Sequence, residues 1–307
     1  MGEARRQRER GQQGTTVGAH HVVIIEWLSV EERQTGSELA NRIRPWNKCP
    51  VVLYTCKSAA DVIAALNDAL EDLKTTGHVP IVHFEAHGLA PDVHDNDGIA
   101  GPNGNGGTEC LYWKRLAPLL GEINLHSRFR MLLLGAACHG INALDAIEIT
   151  SRPAPFTALI GFNGIVHPRR LLEAMVALYG ELLDGGHKIL PKAIEVANRE
   201  LSTSLGEELT LTTCRHFFLA AVATYVQKEM QPGYRAQENE RLRLKLISER
   251  KIFTTAKVDQ MFRTVLRNRL TEIVATFFAY EALPSNRRRF PINIGRIIRE
   301  QEQLHNS

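Results

Sequence analysis

Five short runs of almost uninterrupted apolar residues recur through the first half of the chain, and they limit its fold more than any other feature. They are "HVVIIEWL" (21–28), "PVVLYTC" (50–56), "VPIVHFEAHG" (79–88), "FRMLLLGAAC" (129–138) and "FTALIGF" (156–162). Each is shorter than an average helix and rich in β-branched, leucine or aromatic residues. Each therefore reads as a strand buried on both faces.

Helix-like stretches separate these runs. "TGSELANRI" (35–43) stops before Pro45, and "WKRLAPLLGEI" covers 113–123. In 58–77, Val62, Leu66, Leu70 and Leu73 share a face, Ser58 and Asp61 offer a capping box, and Gly77 lies past the end. From Pro168 to Asp184 a stripe of Leu171, Met175, Leu178 and Leu182 runs beside Leu172, Val176, Tyr179 and Leu183. Alternating strands and helices of this kind predict an α/β fold: a mostly parallel sheet covered by helices on both faces.

With 307 residues the chain can bury a substantial core. Residues 1–18 read as a flexible basic arm. They lack the apolar stretch of a secretory signal. Residues 19–226 form the α/β domain, and "LAPDVHDNDGIAGPNGNGGTEC" (89–110) is a Gly-, Asp- and Asn-rich loop within it. Residues 227–307 are densely charged and mainly helical. A candidate helix over 255–282 carries Val258, Met261, Phe262, Val265, Leu266, Ile273, Phe277 and Phe278 at helical spacing, a stripe expected to pack on the sheet domain or a partner chain.

The five cysteines are odd in number, far apart and free of any CxxC pair. A disulfide scaffold or zinc site is not expected, and a reducing cytoplasm fits best. No apolar run reaches the roughly 18 residues of a membrane span. A net charge of +3 gives no nucleic-acid signal by itself. Nothing in the chain calls for a cofactor.

Parallel sheets place their chemistry beyond the carboxyl ends of neighbouring strands. His87 ends the third apolar run and Cys138 the fourth. An imidazole can take the proton of a thiol and later return it to a leaving amine. The backbone amides of Gly88 and Cys138 are candidates for an oxyanion hole. Gly88 would let the backbone approach a substrate, and Gly140 would permit a sharp exit after Cys138.

A His-Gly ending one parallel strand and an Ala-Cys-x-Gly ending the next resembles the caspase-like cysteine peptidases, the group of caspases, metacaspases, separases, gingipains and bacterial CHAT-type proteases. His87 and Cys138 are 51 positions apart, against roughly 50 in caspases. Ala136-Ala137-Cys138-His139-Gly140 matches the Q-A-C-[RQG]-G pattern at Ala-Cys and the final Gly. "DGI" (97–99) and the "W..L...L..IN" spacing of 113–124 are similar to bacterial CHAT-type sequences, over about residues 20–200. The resemblance implies an endopeptidase with a Cys138–His87 dyad acting on a protein substrate. It also implies a role in regulated cell death or antiphage defence, for example by cutting a gasdermin-like pore former. Ala136 replaces the glutamine that shapes the caspase aspartate pocket, so no aspartate preference is implied, and the substrate-binding residues stay open. The alternative is a non-enzymatic caspase-like module that binds a regulatory partner through its helical C-terminal region.

Neighbouring residues have simpler readings. Glu85 shares a strand face with His87 and could orient it, although a carboxylate facing water or a lysine is the commoner arrangement. His83 reads as a satisfied core histidine, and His139 points away from the base position. Cys110 reads as an inert thiol. "DVHDNDG" (92–98) could hold calcium but lacks the EF-hand pattern and reads as turn chemistry.

Overall fold

The structure, a computed structural model, describes residues 17–18, 20–89, 97–145, 147–184, 190–201, 208–249 and 254–306. The chain divides into two compact units, residues 1–148 with 154–214, and residues 149–153 with 215–307.

The first unit is built on a sheet. In chain order it contains β1 (His21–Trp27), α1 (Thr35–Ile43), β2 (Val51–Thr55), α2 (Ala59–Thr76), β3 (Pro80–Gly88), β4 (Gly98–Pro102), β5 (Thr108–Tyr112), α3 (Trp113–His126), β6 (Leu132–Ala136), β7 (Ala158–Phe162), α4 (Pro168–Asp184), α5 (Leu190–Glu200) and β8 (Leu209–Thr213). The strand order is β2–β1–β3–β6–β7–β8. The first five of these are parallel and β8 is antiparallel. The five apolar runs are these five parallel strands.

Helices cover both faces because successive strand residues point to opposite sides. On one face Val23, Val82 and Leu133 meet Val62 and Leu66 of α2 and Leu116 and Leu120 of α3. On the other, Ile24, Ile81, Leu134 and Ile160 meet Leu39 of α1, Leu172 and Leu178 of α4 and Ala193 of α5. Complete burial of each such aliphatic side chain contributes about 1.5–3 kcal/mol.

The helix ends show how local sequence is used. Ser58 caps α2 by accepting from the Asp61 amide at 3.2 Å, and Gly77 closes it with φ 71°. The reciprocal arm of the expected capping box lands one residue earlier, where the Lys57 amide donates to Asp61 at 2.8 Å. Gln34 gives α1 no side-chain cap. Glu26 of β1 does so instead, accepting from the Ser37 amide at 3.0 Å and from its hydroxyl, so a buried carboxylate sits at a helix amino end.

Three features depart from the sequence reading. The stretch 89–110 is not one loop: β4 and β5 form a hairpin, and β4 pairs with the tip of β3. Its turn is Asn-Gly-Asn-Gly-Gly, with φ 79° at Gly104 and 83° at Gly106, which is strong hairpin chemistry. Strand β8 and helix α5 were not anticipated, since "LTLTT" is too polar for a buried-strand pattern. The end of the expected arm is packed: Val17 is buried and the Gly18 amide donates to the Arg130 carbonyl at 2.8 Å. Residues 1–16 lie outside the described residues.

The second unit is helical: α6 (Cys214–Met230), α7 (Pro232–Ser248), α8 (Thr255–Phe277), α9 (Asn286–Arg289) and α10 (Ile294–Asn306). The change of composition at 227 falls inside α6. In α8, Val258, Phe262, Leu266, Leu270, Ile273, Val274 and Phe277 form the buried face, while Met261 and Val265 are half-buried. The expected stripe finds partners within this unit, where the rings of Phe277 and Phe278 pack tilted and edge-on against Phe218, and Phe278 stacks on Phe290. No helix among the described residues is long and apolar enough to cross a membrane.

Candidate active site

Strands β3 and β6 are central neighbours, paired in parallel with His83 opposite Leu134 and Glu85 opposite Ala136. That register is an offset of 51 residues, the same offset that separates His87 from Cys138. The pairing ends at Glu85 and Ala136; beyond it His87 pairs with Ala100 of β4, and Cys138 lies in the turn that follows β6. His87 follows His83 and Glu85 at period two, and Cys138 packs against the core shared by Leu134 and Ala136.

Contact between the two strand tips is direct. A β-carbon built on Gly88 would overlap the carbonyl of Cys138 and lie 3.0 Å from its amide nitrogen. Gly88 therefore has a different role from the one read in the sequence. The space left by its missing side chain is filled by the Cys138 backbone, and is not kept open for a substrate.

The orientation of the Gly88 amide follows from its pairing. Leu89 N–H donates to Gly98 O at 3.0 Å, which makes Gly88 and Ile99 a non-hydrogen-bonded antiparallel pair. The Gly88 N–H thus turns away from β4. Strand β4 extends the β1 side of β3, where Trp27 Nε1 donates to Pro102 O at 2.9 Å. The amide faces the β6 side of β3.

The chain leaves Cys138 through a turn that glycine alone does not explain. The left-handed residue is His139, with φ 56°, a conformation uncommon for a side-chain-bearing residue. It is held there because its amide donates to Gly164 O at 3.1 Å and Gly140 N–H donates to Ala137 O at 3.0 Å. Gly140 is needed for space: a β-carbon there would strike the Gly135 carbonyl. One on Gly161 would come within 2.6 Å of the Ile141 amide nitrogen. Three glycines thus let the segment after Cys138 fold tightly over the ends of β6 and β7.

His87 is 55% exposed at its side chain, and its Nε2 lies 2.6 Å from Glu32 Oε1. A carboxylate only accepts, so this bond puts the proton on Nε2 and leaves Nδ1 as the basic nitrogen. Glu32 is itself held, since its other oxygen accepts from the Ser29 amide at 2.8 Å. Sequence reasoning missed this residue. Its only signal was an acidic pair, Glu31-Glu32, in the turn after the first strand.

Glu85 does not orient His87, nor does it face water or a lysine. It is 1% exposed, accepting from Thr35 Oγ1 at 2.7 Å and from His83 Nε2 at 3.0 Å. His83 is a satisfied core histidine, with Nδ1 2.9 Å from the Tyr179 hydroxyl. Burial, and next the charge of Glu85, push the Tyr179 phenol well up, so it stays a donor to His83.

The other cysteines suit nucleophilic chemistry less well. Burial pushes the Cys56 thiol up to about 12 and raises that of Cys49, and Cys214 is buried. Cys138 and Cys110 are half-buried; the Cys138 backbone touches Gly88 at the tip of β3, while Cys110 lies opposite Ala100, itself opposite His87. Of the calcium-like run 92–98, residues 92–96 lie outside the described residues. Asp97 accepts from Asn142 Nδ2 at 2.9 Å. The chain matches no protein-family model and no curated protein.

Proposed function

We propose that the chain is a cysteine endopeptidase that cuts a protein substrate with Cys138 as nucleophile and His87 as general base. The observation that carries this reading is the fit of the Cys138 backbone into the space beside Gly88, the residue that follows His87.

The chemistry follows from those residues. His87 Nδ1 takes the thiol proton as sulfur attacks the scissile carbonyl carbon. The resulting oxyanion is bound by the amides of Gly88 and Cys138, donors fixed by the fold before the charge develops. Collapse of the tetrahedral species breaks the C–N bond. His87 returns the proton to the leaving amine, and water then hydrolyses the thioester with His87 again as base. Glu32 holds the imidazole tautomer that these steps require.

The resemblance to caspase-like and CHAT-type proteases supports a single-site cut in a regulatory target, and a gasdermin-like pore former is the target class it favours. Free cysteines throughout suit a reducing cytoplasm. A second reading, a non-enzymatic interaction module, draws on Leu244 and Ile247, two exposed aliphatic residues of α7.

Cleavage of a host-cell proteome, read by mass spectrometry of new amino termini, tests the proposal. New termini should arise with the native chain and vanish with Cys138→Ala and His87→Ala. The same cuts made by Cys138→Ala would refute it, and an absence of cuts would favour the interaction module.

A further inference from the structure

The net charge of +3 over the whole chain conceals a division. The helical unit, residues 149–153 with 215–307, holds 18 Lys and Arg against 9 Asp and Glu, a net +9. The sheet unit holds 19 against 25, a net −6. Positive charge scattered over a surface is commonly no more than a means of staying in solution. Here 14 of the 18 cations are arginines, whose planar fork bonds two phosphate oxygens at once, whereas solubility is served as well by lysine.

The fold also gathers several of these arginines. Helices α8 and α10 lie side by side and antiparallel. Phe278, directly after α8, stacks on Phe290, four residues before α10 begins. Toward the other end of the pair, Arg263 Nε of α8 donates to Glu302 Oε1 of α10 at 2.9 Å. Residues three or four apart share a helix face. One turn on from Arg263 is Arg267, and one turn back from Glu302 is Arg299. Antiparallel packing therefore brings these two arginines to one level of the helix pair. Both are exposed, and among the described residues neither forms an ion pair. Arg296 lies one turn further back on α10, bonded to Glu300. Beyond it, α9 carries Arg287 and Arg288, likewise exposed and without an ion pair among the described residues.

Arg267 and Arg299 repel each other, and the carboxylates of α10 do not offset them, since Glu302 is engaged by Arg263 and Glu300 by Arg296. A polyanion would relieve that repulsion and release its own counterions on binding. A lipid surface fits less well, because a helix lying on a membrane needs an exposed apolar face. Phe262, Leu266, Ile297 and Ile298 are buried, and Leu304 is the sole exposed large apolar side chain of α8 and α10 among the described residues. We infer that the helical unit binds nucleic acid through its phosphodiester backbone, with Arg267 and Arg299 at the centre of the contact. Phosphate contacts carry no sequence information, so binding is indifferent to sequence. The inference does not depend on the peptidase reading, and it is tested without any cleavage.

Fluorescence anisotropy on the full chain provides the test, with short DNA and RNA duplexes of two unrelated sequences and their separated strands as probes. The native chain should bind both sequences of at least one polymer alike. Its affinity should fall at least about tenfold between about 50 and 200 mM salt. Arg267→Gln and Arg299→Gln should each weaken both sequences equally and reduce the salt slope by about 1. Arg267→Lys keeps the charge and should keep the slope, which separates lost contact from lost structure. Arg199→Gln, which removes an exposed arginine of the sheet unit, should change neither affinity nor slope. Circular dichroism reports whether each variant keeps its helices. No binding to any probe, a strong preference for one sequence, or an Arg199→Gln loss equal to that of Arg267→Gln would overturn the inference. So would a folded double variant that binds as the native chain does, or binding to phosphatidylserine vesicles with none to nucleic acid.

Discussion

The carbonyl of Cys138 occupies the place where a side chain on Gly88 would be. Two strand tips far apart in sequence are thereby locked backbone to backbone at the point where the proposed chemistry occurs. Gly88→Ala should force them apart, lowering stability by about 1–3 kcal/mol. The displacement should reduce kcat/KM by about 100-fold. Urea unfolding and peptide hydrolysis measure the two effects. A stable, fully active Gly88→Ala chain would mean that the close approach has no functional weight.

Glu32 gives His87 its orientation through a 2.6 Å bond and is expected to act through kcat more than KM. Glu32→Ala should lower kcat by roughly 10- to 100-fold with KM little changed. Glu32→Gln keeps an acceptor oxygen and should recover part of that loss. Equal losses in both variants, or a loss confined to KM, would argue against a positioning role.

The Thr35 hydroxyl supplies one of the donors to the buried Glu85 carboxylate. Thr35→Val keeps the shape and removes the donor, leaving a buried acceptor unmet at a cost of about 1–3 kcal/mol. Equilibrium unfolding of the two chains gives the difference directly. No change in stability would show that another donor replaces the hydroxyl.

Burial holds the His21 imidazole below its ordinary pKa of 6.5, against an opposing pull from Asp72. The unfolded chain therefore gains a proton near pH 6.5 that the folded chain refuses. Stability contributed by this site is complete above pH 6.5 and falls as pH drops toward the lower folded-state value. His21→Phe should flatten the decline in urea midpoint between pH 7 and about pH 5.5. An unchanged slope would assign the acid sensitivity elsewhere.

The central sheet was legible because it rests on patterns local to single strands, and the closeness of the two chain segments that carry His87 and Cys138 followed from it. Apolar runs mark strands buried on both faces, and strand ends mark where a parallel sheet exposes reactive groups. The hairpin of β4 and β5 was hidden because its glycines and Pro102 imitate a loop. Their use becomes visible only when Gly98 packs on Leu111 and Gly101 on Trp27. Strand β8 was hidden by its threonines. Glu32 and the burial of Glu85 could not be read from spacing, since each depends on where the β1–α1 segment lies in three dimensions. The sharp turn at His139 was assigned to Gly140 for a similar reason. A glycine's need for φ and its need for space look alike in one dimension.

The rate at which iodoacetamide alkylates Cys138 near neutral pH, in the native chain and in His87→Ala, tests the proposed pair most directly. The thiolate is the species that reacts. A histidine positioned to take the thiol proton predicts a markedly slower rate in His87→Ala, approaching that of an isolated thiol. Equal rates in the two proteins would mean that the imidazole does not serve this sulfur, and the assignment would fall.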